Sequence, residues 1–126
     1  MELFRPTGRR EMELVAETGW RAWPPRLPDQ PIFYPVLTFD YAEKIARDWN
    51  SKGAPPENEG FVLRFRIAED LAQYPVQEAG GAAHRELWVP AEELDAFNDG
   101  IVGLIECVAA YRDGARLDLG ASDGDT

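Results

Sequence analysis

The chain has 126 residues, 44% of them apolar and 11% aromatic, which is enough for one domain around one core and too much for a disordered chain. A net charge of -10 excludes a surface built as a whole to bind nucleic acid or an anionic membrane. A single cysteine, Cys107, and a single histidine, His84, exclude an intrachain disulfide and leave no ligand set for zinc, so no metal is expected.

No apolar run approaches the ~18 residues of a membrane span, and the N-terminus lacks the apolar stretch of a signal peptide. The expected location is cytoplasmic. The charge is uneven: residues 1–60 hold 10 acids and 8 bases, residues 61–126 hold 13 acids and 5 bases. Arg5, Arg9, Arg10, Arg21 and Arg26 fall early, either as a local anion site or as a solvated face.

Residues 2–6 read as a short strand ending at Pro6. Thr7 is a candidate N-cap for a helix over 9–18, with Met12, Val15 and Ala16 on one face and Gly19 as its stop. Residues 20–35 hold five prolines, which argues against a central strand or helix interior and for a stiff extended segment carrying Trp20, Trp23, Phe33 and Tyr34. Residues 39–49 form the clearest helix, with Thr38 as cap and a stripe of Ala42, Ile45, Ala46 and Trp49. Residues 50–60 read as a loop.

Residues 61–67 alternate as a half-buried antiparallel strand, with Phe61, Leu63, Phe65 and Ile67 inward. A helical turn over 68–74 turns Leu71 and Tyr74 inward. Residues 75–79 and 84–89 are two short strands joined by a loop containing Gly80 and Gly81. Pro90 opens a short helix anchored by Leu94 and Phe97. Residues 101–111 form a last strand with Ile105, Cys107, Ala109 and Tyr111 on one face. The expected fold is a single α+β domain over residues 1–111, a curved and mostly antiparallel sheet with two to three short helices. A flexible acidic tail follows over 112–126.

The sequence holds no GxGxxG, no GxxxxGK[ST] and no GxSxG, so dinucleotide-fold, P-loop and hydrolase-elbow chemistry are unsupported. A Cys107–His84 nucleophile pair is disfavoured by the core-strand position of Cys107. The more informative group is His84-Arg85-Glu86, because strand alternation puts His84 and Glu86 on one face. Such a pair can anchor sugar hydroxyls or stabilise a developing cation; the competing reading is an exposed strand face.

Several strings resemble a family of small bacterial proteins that carry an ADP-ribosylation/crystallin label. They are Leu3-Phe4-Arg5-Pro6, Pro24-Pro25-Arg26-Leu27-Pro28, Gln30 to Leu37, Tyr41-Ala42 with Ile45 to Asn50, and Glu86 to Leu94, spanning roughly residues 3–106. At a remove, the layout is similar to the ADP-ribosyltransferase superfamily. That resemblance implies NAD or a related nucleotide as ligand and substrate, and a protein as acceptor. It assigns Arg5 to the ribose, Tyr34 or Tyr41 to the nicotinamide, His84 to the position two before the carboxylate, and Glu86 to the catalytic carboxylate. The Ser-Thr-Ser string of many such transferases is absent. Two other readings stand beside transfer: a non-catalytic nucleotide- or protein-binding module, and a protein-interaction surface on the Pro/Trp segment. Convergence of Arg5, a tyrosine and Glu86 in one cleft separates them.

Overall fold

The structure is a computed structural model that describes residues 1–68, 74, 76–78 and 84–118. Its central ladder is formed by β1 (Glu2–Gly8) and β3 (Glu59–Arg66), with β7 (Glu106–Arg112) and β8 (Ala115–Arg116) added in the order β1-β3-β7-β8, all antiparallel. β3 is buried on both faces, not half-buried as its alternation suggested. Phe61, Leu63 and Phe65 enter the larger core cluster, while Val62 faces a second, smaller cluster.

The two clusters lie on opposite faces of the sheet. Helix α1 (Arg9–Glu17) gives Val15 and Met12 to the larger one, and helix α2 (Phe39–Asp48) gives Tyr41, Ala42 and Ala46 to the smaller. Helix α3 (Leu94–Asp99), entered through a 3-10 turn over Ala91–Glu93, adds Leu94 and Phe97 to the first face. The fold class is α+β.

The proline-rich segment departs most from expectation. β2 (Ile32–Phe33) pairs with β6 (Val89–Pro90), and Val36 bridges β1 at Phe4 and β5 (Arg85–Leu87) at Glu86. Val36 exchanges both backbone hydrogen bonds with Phe4, at 2.9 and 2.7 Å, while Leu37 N–H donates to Arg85 and Leu87 N–H to Pro35. The segment is therefore an inner strand. It tolerates Pro35 because the proline's carbonyl still accepts from Leu87, so the missing N–H removes only one bond from the ladder. β4 (Val76–Glu78) completes a hairpin with β5. The amide of Asn98 pins the start of the segment, accepting from Trp23 N–H at 2.9 Å and donating to Trp23 C=O at 3.0 Å.

Other differences have local causes. β1 runs through Pro6 to Gly8, because Pro6 and Thr7 keep extended pairing with Val62 and Phe61. Gly8 is then the N-cap of α1 and no side chain caps it, while Thr7 is buried within the strand. Thr38 caps α2 as expected, accepting from Tyr41 N–H at 3.2 Å. Trp49, counted on the buried stripe, is 76% exposed because α2 ends at Asp48 and Trp49 leaves the helical path. Ile45 of the same stripe is only partly buried. The last strand begins at Glu106, and Val108 bulges between the pairs Leu63↔Cys107 and Val62↔Ala109. The bulge turns Cys107 to the larger cluster and Ala109 and Tyr111 to the smaller, so the expected shared face does not exist. Leu71, Gly80 and Gly81 lie outside the described residues, as does most of the expected tail. Tyr74 is buried.

One ion-pair cluster ties the corner of the sheet. Glu59, 5% exposed, takes Arg9 from the start of α1 and Arg112 from the end of β7, the latter at 3.1 and 2.6 Å. These bonds, Arg112 first, hold the Glu59 carboxyl below its usual range despite burial.

α2 lies so close to β3 that a Cβ on Gly60 would collide with the backbone oxygen of Ala46 and stand 2.9 Å from Asn50 Cβ. Gly60→Ala should therefore cost about 1–3 kcal/mol or more, and Trp49→Ala less than about 0.5 kcal/mol, in urea unfolding midpoints. Equal losses would show that α2 is seated differently.

Candidate functional site

Register decides where the candidate residues go. Phe4, Val36 and Glu86 lie in one row across three strands, so their side chains share a face, the α2 face. Arg5 is one residue along and pairs with Leu63, so it leaves the sheet on the α1 face. Arg5 and Glu86 do not converge from one face. The candidates divide into two groups.

The first group is cationic. Arg5, largely buried, makes a two-point ion pair with Glu11 of α1 at 2.8 and 3.0 Å. Its guanidinium stands 4.9 Å from the ring of Phe33 and 5.6 Å from that of Tyr34. Arg26 reaches the same Phe33 ring at 5.7 Å, and its Nε is buried without a hydrogen-bond partner. Burial, and then the neighbouring Arg5 charge, lower the pKa of Arg26, against which Glu11 and Tyr34 act more weakly. Glu11, paired with Arg5, acts on Arg26 only through its charge. Beside them a cavity of about 260 Å³ opens between α1 and the proline segment, walled by Leu14, Pro24, Pro25 and Leu27, with Arg10, Glu11, Arg26 and Gln30 as polar groups.

The second group surrounds Glu86, 7% exposed. The Tyr41 hydroxyl donates to one carboxylate oxygen, and Trp88 Nε1–H donates to the other at 2.9 Å. His84 stacks on Tyr41 with ring centroids 4.7 Å apart, so His84 and Glu86 do meet one partner, on helix α2. Tyr34 stands between the groups, near the Arg5 guanidinium and close enough to Tyr41 for the two phenols to influence each other. The sequence reading missed Glu11 and Trp88 and had Arg26 only as one of five early arginines.

Cys107 is partly buried, and burial raises its thiol pKa, as an inert packing residue requires. Among the described residues no group of three or more His, Cys, Asp or Glu could hold a metal ion, and no helix is long and apolar enough to cross a membrane. No family model, curated protein or solved structure matches the chain.

Burial, and then the bond to Glu86, raise the pKa of Tyr41 well above that of a free phenol. Tyr111, buried and bonded to Glu43, is pushed up to about 12. Their folded values exceed the unfolded ~10, so the protonated phenols contribute stability that is complete below pH ~10 and lost as pH rises, for Tyr111 through about 12 and for Tyr41 higher still. Absorbance titration of phenolate should show Tyr41→Phe and Tyr111→Phe each deleting one late-ionising group. Unchanged late amplitude in Tyr41→Phe would contradict the Tyr41–Glu86 bond.

Proposed function

We propose that the protein is a non-catalytic binding module for an anionic nucleotide ligand, NAD or a relative, taken at the cavity lined by Arg10 and Arg26, next to Arg5. One observation carries this reading: Arg26, beside the Glu11-paired Arg5, lines an open cavity and has a buried Nε without a hydrogen-bond partner among the described residues. A phosphate placed there would receive charge-assisted hydrogen bonds and relieve the repulsion between the arginines. Leu14, Pro25 and Leu27 offer apolar walls for a flat group. At about 260 Å³ the cavity falls below the usual ~300–1,000 Å³ of small-molecule sites, so the anionic end and one ring fill it while the rest extends outward.

Transfer of ADP-ribose is the weaker reading. Glu86, the carboxylate that would stabilise the cationic transition state, leaves the sheet on the other face, and its two oxygens already accept from Tyr41 and Trp88.

Calorimetry with NAD, ADP-ribose and AMP should show saturable binding, lowered by about tenfold or more in Arg26→Ala, with no NAD consumed by the wild type. Absence of heat with all three ligands at millimolar concentration would sink the binding reading. NAD hydrolysis lost in Glu86→Gln would restore the transferase.

A further inference from the structure

We propose that the α2 face of the Tyr34–Trp88 pair is a binding site for a small organic ammonium ion, with Glu86 as its counter-charge. The site shares no lining residue with the Arg26 cavity, although the Tyr34 ring also stands 5.6 Å from the Arg5 guanidinium.

The same offset relates Ile32↔Pro90, Phe33↔Val89 and Val36↔Glu86, which sets Tyr34 directly opposite Trp88. Aromatic side chains opposite each other in an antiparallel pair ordinarily pack together. Here the two rings form no stacked or edge-on pair, and Tyr34 remains 43% and Trp88 40% exposed. The indole of Trp88 is fixed by its N–H bond to Glu86, and the stacked Tyr41 and His84 rings flank the same carboxylate.

Glu86 supplies the second argument. Among the described residues it makes no ion pair, and its two hydrogen-bond donors, a phenol and an indole, are both neutral. They solvate a carboxylate without cancelling its charge. The contrast with Glu59 is direct, because that equally buried carboxylate holds two arginines. Leaving a buried carboxylate without a cation is costly, and a bound cation would remove that cost. Arg5 is not that cation, since its fork is committed to Glu11.

The surroundings select the kind of cation. A hard metal ion requires several oxygen ligands, and this site offers one carboxylate whose oxygens are already engaged. A weakly hydrated alkylammonium is instead held by aromatic faces with a nearby negative charge. The chain's net charge of -10 favours its approach.

The test is a calorimetric titration with choline and with its uncharged isostere, in which carbon replaces the quaternary nitrogen. Choline should bind saturably, and the isostere about tenfold more weakly or worse. Glu86→Gln and Tyr34→Ala should each weaken choline by about tenfold, while Arg26→Ala should leave it unchanged, separating this site from the nucleotide cleft. Among the described residues Tyr34 makes no side-chain hydrogen bond, so its variant decides the matter if Glu86→Gln fails to fold. Equal binding of the isostere, choline binding untouched by Tyr34→Ala, or no saturable choline binding at tens of millimolar would overturn the proposal.

Discussion

The two-sided pairing of residues 35–37 between β1 and β5 is the constraint on which both candidate sites depend. Once Val36 is fixed opposite Phe4 and Glu86, strand alternation distributes its neighbours without further choice. Phe33 goes under the guanidinia of Arg5 and Arg26, and Tyr34 falls opposite Trp88 while standing 5.6 Å from the Arg5 guanidinium. A slip of one residue would exchange these sets and bury Tyr34 in the larger cluster. The prolines that flank the strand narrow the unfolded ensemble of this stretch, so ordering it costs less than for an ordinary loop.

Electrostatics divides the molecule in the same way. Most acidic side chains are solvated or face a single arginine, and most of these exposed pairs contribute little. The exceptions are buried. Glu59 joins α1, β3 and β7 through two arginines, a structural use of charge that closes one corner of the sheet. At the other end the ratio is reversed, with two arginines to one carboxylate around Glu11. The local positive excess stands out because the chain as a whole carries -10.

Much of the fold was legible. The Thr38 cap with Ala42 and Ala46 placed α2, Gly19 stopped α1 at a positive φ of 77°, and Leu94 and Phe97 anchored α3. What failed shares one cause, since pattern reading assumes that periodicity persists. The stripe on α2 ran one step beyond the helix to Trp49, and the alternation in the last strand ran across a bulge at Val108. Proline content argued against an inner strand, yet the sheet asks of Pro35 only its carbonyl. At the site, the shared face of His84 and Glu86 was readable from spacing, and their common partner Tyr41 joins them as a contact of 45 residues' separation. The opposite orientation of Arg5 was not readable, because it follows from the register of β1 against Val36, and register is a tertiary fact.

That orientation bears on the chemistry more than the residue types do. A carboxylate assists departure of a leaving group when it interacts more strongly with the charge that develops than with the ground state. Glu86 is rigidly held and buried, as preorganisation requires. It leaves the sheet, however, on the face opposite Arg5. A ligand anchored at Arg26 would also have to carry its ribose past the strand of residues 32–36 to reach it. The same carboxylate is better suited to a permanent cation, which needs no developing charge and gains from the flanking rings at once.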